Sequence, residues 1–349
     1  SEGTNANVGR LARQESDIAY IQNWTASKVA NNGAPFENIE FTPNQVMRSL
    51  MRTVEPSDVE GRILLFLVAS PKSFRDNTRY PVFDGKVFLP SKPNRSFPHP
   101  YRSSEPSTSK EEMNRVLSRI LCETSDYYLD LHSWSSESTP FVIRDVVYHE
   151  SSEEEAEKAT QLSETMGKMA RASGFPTVLK RSVSGSETVP RPELERAELT
   201  YSTSMPLKRG IPSLTVELGG PSETERETVR EYAEGVKNVL RHVGVLGTDR
   251  EEVEKIRREP TEVHHRIRSV EAVEAGMTEP VLGIGDGFDE GDTICRLEDV
   301  FGDEVHEYVA SNPGWLISYH RSMQAEKHQE IACVAEEAEN PVTTVEITD

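Results

Sequence analysis

The chain has 349 residues, enough for two domains, because single hydrophobic cores stop growing near about 250–300 residues. Apolar residues make up 35% of it, and 59 acidic side chains against 39 basic ones leave a net charge of −20. That balance argues against a nucleic-acid or anionic-membrane partner, since both need a basic footprint; it suits a chain kept soluble at high salt, as in a halophilic source.

Three cysteines (Cys122, Cys295 and Cys333) are odd in number and far apart. They make neither a disulfide framework nor a metal knuckle, and a reducing, cytoplasmic setting is expected. No apolar run reaches the roughly 18–20 residues of a membrane helix, and no signal-like stretch opens the chain.

Residues 1–35 are polar, with one candidate strand around Asp17–Trp24 and a loop-like NNGAP. In TPNQVMRSLMRTV, Thr42 and Pro43 suit a helix start, and Val46, Met47, Leu50, Met51 and Val54 fall at helical spacing. RILLFLVAS then reads as a central strand. A second helix presents Met113, Val116, Leu117, Ile120 and Leu121, and DYYLDLHS follows as a buried strand. A helix over Glu153–Ala172 leads to the strand SLTVELGG (213–220), and Val229, Tyr232, Val236, Val239, Leu240 and Val243 mark an amphipathic helix.

Strands alternating with helices imply an α/β domain, a mostly parallel or mixed sheet flanked by helices. DREEVEKIRREP reads as a charged linker, and the short strands and turns beyond it (GIGDGFDEGD, FGDEV, NPGW) as a small C-terminal all-β domain. The expected division is 1–255 and 261–349.

Ligands of parallel α/β sheets bind beyond the C-terminal ends of strands. DYYLDLHS ends there in His132, and SLTVELGG carries Glu217, an acid that is costly to bury unless paired, hydrated or beside a metal. Alternation puts Tyr128, Asp130 and His132 on one face, so Asp130 can hold the imidazole from behind. Taken alone, a structural histidine and a structural ion pair explain the same two residues.

The order Asn94-Arg95-Ser96-Phe97-Pro98, Asp130-Leu131-His132-Ser133 and Thr215-Val216-Glu217-Leu218-Gly219-Gly220, followed by a β module with a G-D-x-F-x-x-G-D turn, resembles the succinylglutamate desuccinylase/aspartoacylase family. These are zinc-dependent hydrolases related to the M14 carboxypeptidases. The resemblance covers roughly residues 37–335. It implies His132 as a zinc ligand, Glu217 as the general base that deprotonates the attacking water and then protonates the leaving amine, and Arg95 with Asn94 as holders of the substrate carboxylate. Arg79 resembles a second anion-binding arginine, although its spacing to Asn94 exceeds the family's usual one.

The family's first motif, HGxE, supplies a histidine and a glutamate as further ligands. Here Glu37-Asn38-Ile39-Glu40 stands at its place, so Glu40 matches the glutamate and Glu37 replaces the histidine. The strand that should precede it is poorly formed in TASKVANNGAPF. Glu37, Glu40 and His132 form a harder set than the family's, which shifts preference toward Mn²⁺ or Mg²⁺ without excluding the Zn²⁺ that the resemblance implies. His99, close to Arg95, is a spare ligand or pocket residue.

Two readings follow. One is a metal-dependent hydrolase that cleaves the amide of an N-acyl amino acid or a similar small carboxylate. The other is a non-catalytic relative that binds a small carboxylate or a protein partner. Oligomeric state is open, with a homo-oligomer among the options.

Overall fold

The structure is a computed structural model that describes residues 18–23, 42–67, 82–83, 86–87, 95–103, 105–134, 137–180, 182–220, 226–247, 265–320, 324–338 and 341–349. The first part runs β1 (Ile18–Asn23), α1 (Thr42–Thr53), β2 (Arg62–Phe66), the short pair β3 (Val82–Phe83) and β4 (Lys86–Val87), and α2 (Ser109–Thr124). It continues with β5 (Tyr127–His132), β6 (Phe141–Arg144), β7 (Val147–Glu150), α3 (Glu153–Ser173) and β8 (Thr177–Leu179). Then come β9 (Thr188–Pro190), α4 (Arg191–Arg196), α5 (Ser204–Lys208), β10 (Ser213–Glu217) and α6 (Arg226–His242).

The described remainder is all β: β11 (His265–Glu271), β12 (Gly276–Pro280), β13 (Gly287–Phe288), β14 (Thr293–Glu298) and β15 (Glu304–Val309). β16 (Gly314–Tyr319), β17 (Gln324–Ala325), β18 (Glu330–Glu337) and β19 (Thr344–Thr348) complete it. The α/β class with a β C-terminal part is therefore observed.

A ten-stranded mixed sheet runs in the order β13-β16-β18-β11-β8-β6-β10-β5-β1-β2. Its parallel core is β2, β1, β5 and β10, while β6 lies antiparallel to β10. Strands β15-β14-β12-β17 make a second sheet, and β19 returns to pair in parallel with β7 and β9. The charged linker at 249–260 lies outside the described residues.

Alternation along β5 sorts its side chains as the sequence indicates. Leu129 and Leu131 join the core built with α1, α3 and α6, while Tyr128 packs with Leu121 of α2 and with Ile211. Helix boundaries follow local chemistry. Thr108 and Glu111 form a reciprocal capping box at α2, and Ser152 caps α3, whose first turn carries Glu153, Glu154 and Glu155 beside the positive end of the helix dipole. The acidic run 151–157 is thus a helix start as well as a solvated face.

Two readings need correction. RILLF is the last strand of the large sheet, not a central one. Its run is apolar because both faces are covered, Ile63 packing with Leu240 and Leu246, and Leu64 and Phe66 with the cluster of Leu121 and Tyr128. Met51, expected on the buried face of α1, is 57% exposed, since the face that packs is Val46, Met47 and Leu50.

Candidate active site at the ends of strands β5 and β10

Strands β5 and β10 pair in parallel, with Thr215 opposite Asp130 and Glu217 opposite His132. Both strands run toward the same edge, so an imidazole and a carboxylate arrive side by side at their C-terminal ends. Both are buried, as is Asp130. The backbone continues the pairing past the strands, Leu218 N–H donating to His132 O at 2.9 Å and Trp134 N–H to Gly219 O at 2.9 Å. Gly219 holds the turn with φ +65°, and a Cβ there would stand 2.8 Å from the Tyr232 hydroxyl, so only glycine fits.

His132 Nε2 lies 2.9 Å from Asp130 Oδ2. A carboxylate only accepts, so Nε2 carries the proton, and Nδ1 is the nitrogen with the lone pair when the ring is neutral. Burial alone lowers the basicity of this imidazole, but the Asp130 charge, its hydrogen bond and the Glu217 charge outweigh that, and the pKa is raised above 6.5.

Asp130 is held in turn by Ser202, whose Oγ donates to the same Oδ2. Ser202 belongs to a run, Thr200-Tyr201-Ser202-Thr203, in which every side chain fixes a wall of the site. Thr200 Oγ1 donates to Arg95 O at 2.6 Å, and Thr203 Oγ1 donates to Asp145 Oδ2 at 2.8 Å. The Tyr201 ring carries two cations, Arg95 Cζ 3.9 Å and Lys180 Nζ 3.3 Å from its centroid. Lys180 also pairs with Asp145 at 2.9 Å. Sequence reasoning missed this run, whose only signal was a cluster of hydroxyl side chains that equally describes a loop.

His132, Glu217, Asp130, Arg95, Asp145, Lys180 and the Tyr201–Thr203 stretch line a cavity of about 490 Å³. Four basic side chains reach it, Arg95, Lys180, Arg266 and Arg268, within a chain of net charge −20. The last two come from β11, and Arg268 Nη2 pairs with Glu336 at 2.8 Å. The C-terminal strands also brace the other flank, where Trp134 Nε1 donates to Ser318 Oγ at 2.9 Å.

Of the residues expected from sequence, His132, Asp130, Glu217 and Arg95 converge on one cavity. Glu37, Glu40, Arg79 and Asn94 lie outside the described residues. The candidate strand at Asp17–Trp24 is observed as β1, which lies between β2 and β5, whereas TASKVANNGAPF lies outside the described residues. His99 is not a ligand. Its Nδ1 accepts from Tyr101 N–H at 3.1 Å, so Nε2 is the donor to Ala197 O, also at 3.1 Å. Burial lowers its pKa.

The donors suit a metal in part. A histidine with one nitrogen tied to a buried carboxylate is the usual arrangement of a ligand, its other nitrogen aimed at the ion. Among the described residues no group of three His, Cys, Asp or Glu is placed to hold a metal; the other expected ligands, Glu37 and Glu40, lie outside them. Among the described residues no helix is long and apolar enough to cross a membrane.

Residues 39–243 match the family model described as the succinylglutamate desuccinylase/aspartoacylase catalytic domain. No curated protein matches the chain. Solved structures share the fold at low identity. A succinylglutamate desuccinylase/aspartoacylase from Rhodobacter sphaeroides is 21% identical, with 93% of this chain and 86% of that one covered and a TM-score of 0.65. The product-bound ectoine utilization protein EutE (DoeB) from Ruegeria pomeroyi is 20% identical, with 92% and 86% covered and a TM-score of 0.64. An aspartoacylase family protein from Mesorhizobium loti is 19% identical, with 94% and 88% covered and a TM-score of 0.62. On the family match, which takes in more than half of its residues, the chain belongs to the succinylglutamate desuccinylase/aspartoacylase family.

Proposed function

We propose that the chain is a metal-dependent amidohydrolase acting on N-acyl amino acids or similar small carboxylates. The observation that carries this reading is the register pair His132–Glu217 in a cavity also lined by Arg95, Lys180, Arg266 and Arg268, with Asp130 and Ser202 behind the imidazole. A binding protein gains nothing from a carboxylate buried beside a braced imidazole, whereas a hydrolase needs both.

The metal ligands in this reading are His132 through Nδ1, with Glu40 and Glu37 from the first motif. A bound divalent ion, zinc or manganese, would polarise the scissile carbonyl and acidify a water. Glu217 takes the proton of the attacking water and returns it to the leaving nitrogen. Arg95, held through its backbone by Thr200 and over the Tyr201 ring, offers its guanidinium to the substrate carboxylate; Asn94 and Arg79 belong to the same anion site. Asp130 keeps the imidazole in one tautomer throughout.

Hydrolysis of a panel of N-acyl amino acids by purified protein supplied with Zn²⁺ or Mn²⁺ tests this. Turnover in wild type that falls by about 10²–10⁴-fold in Glu217→Gln is expected of a general base. Saturable carboxylate binding with no turnover of any member would instead make the chain a non-catalytic relative.

A further inference from the structure

A second cavity, of about 170 Å³, abuts the first and shares with it the wall made by Asp145, Lys180 and Tyr201. Its chemistry differs from the first. Val146 and Leu199 form an apolar floor with Leu207 nearby, and the Tyr101 and Tyr148 rings meet edge to face, their centroids 6.2 Å apart. Tyr148 is held in place by accepting from Val183 N–H at 3.1 Å. Val146, Leu199, Tyr101 and Tyr148 belong to a small core cluster with Val189, Leu194, Val345 and Ile347, so the floor is anchored by β9, α4 and the returning strand β19.

The partition between the cavities is amphipathic. The cations of Arg95 and Lys180 lie over the Tyr201 ring, and Asp145 fixes Lys180. A ligand that straddles this wall meets Arg95, Arg266 and Arg268 on one side and, on the other, the Val146–Leu199 floor rimmed by Lys208, Glu198 and Ser204. About 150 Å³ is enough for a benzene-sized guest, so the second cavity has room for a phenyl ring or a chain of a few carbons over its apolar floor.

We infer that this cavity is an acyl-chain pocket, which receives the apolar end of the substrate's N-acyl group past Tyr201 while its carboxylate stays with the arginines of the first cavity. This rests on the proposed hydrolase reading and deepens it. The preferred substrates then carry a medium-length aliphatic or aromatic acyl group rather than acetyl. Wall residues Tyr101, Tyr148 and Leu199 set the acceptable length.

The test uses full-length protein and two simple probes, hexanoate and acetate, with binding followed by calorimetry, so it does not depend on turnover. Wild type is expected to bind hexanoate at least about ten-fold more tightly than acetate, because each buried methylene adds to affinity. Leu199→Trp, which fills the cavity, is expected to abolish that preference, and Leu199→Ala, which enlarges it, to extend the preference to octanoate. Wherever hydrolysis is found, the ratio of kcat/KM for hexanoyl over acetyl substrates is expected to follow the same order. Equal binding of hexanoate and acetate by folded wild type overturns the inference and leaves the hydrolase reading standing. A chain-length preference that Leu199→Trp removes supports the pocket even in a protein that cleaves none of the panel, in which case it is the hydrolase reading that fails.

Discussion

His132 and Glu217 occupy paired positions on neighbouring parallel strands, and the hydrogen bond from His132 Nε2 to Asp130 turns the imidazole's remaining nitrogen away from its own strand's carboxylate. Register alone brings these two groups together. A slip of one residue on either strand would send one of them to the opposite face of the sheet.

The brace behind His132 should be measurable in steps. Asp130→Asn replaces the acceptor of both the imidazole and the Ser202 hydroxyl, and is expected to lower metal affinity and kcat/KM by about 10–100-fold. Ser202→Ala leaves the carboxylate in place and should cost about 10-fold, the scale of one hydrogen bond to a charged group. Metal titration and steady-state kinetics on both variants check the order; equal effects would mean that Ser202 is more than a support.

The β11 arginines should act on substrate capture. Arg268→Gln is expected to raise KM for anionic substrates by about 3- to 10-fold with a smaller change in kcat, the low end of the range because Arg268 already pairs with Glu336. It should also flatten the dependence of kcat/KM on ionic strength. Kinetics from low to high salt read both.

Histidine 99 gives a pH prediction that is independent of any metal. Its folded pKa lies below 6.5, so the unfolded chain binds the extra proton first and folding is penalised in acid. The stability it contributes is complete above pH 6.5 and is lost as pH falls from 6.5 through the lowered value. His99→Gln should destabilise by about 1–3 kcal/mol at pH 7, by disturbing two backbone partners, and should reduce the slope of stability against pH below 6.5. Denaturant melts at pH 5, 6 and 7 check it.

Where α3 and α6 pack, Gly235 touches the rim of Phe175. A Cβ at 235 would stand 2.4 Å from Phe175 Cζ and 2.9 Å from Ser173 O. Gly235→Ala therefore overpacks the core and is expected to cost about 1–3 kcal/mol, despite alanine's better helix propensity. A thermal melt that shows stabilisation would contradict this packing.

Much of the fold was legible because it is written in periodicity. The alternation of DYYLDLH and the helical spacing through Val229–Leu240 each report a burial pattern that short stretches of chain impose. β6 and β8 were not legible. They are short, and their place beside β10 depends on distant partners rather than on their own pattern. The same distinction holds in the site. His132, Asp130 and Glu217 announce themselves as polar residues in apolar strands. Thr200–Thr203 acquire roles only once the chain brings Arg95, Asp130 and Asp145 to them, and hydroxyl groups carry no such address in sequence. The guanidiniums of β11 likewise enter the cavity through the pairing of β11 with β18 and β8.

The most direct test of the hydrolase account is the metal content of purified wild type, His132→Ala and Glu40→Ala, determined by elemental analysis in high-salt buffer after incubation with Zn²⁺ or Mn²⁺. Near-stoichiometric metal in wild type, lost in both variants, is the predicted result and places Glu40 and His132 in one site. Wild type that remains metal-free, or that keeps its metal in both variants, would contradict the account.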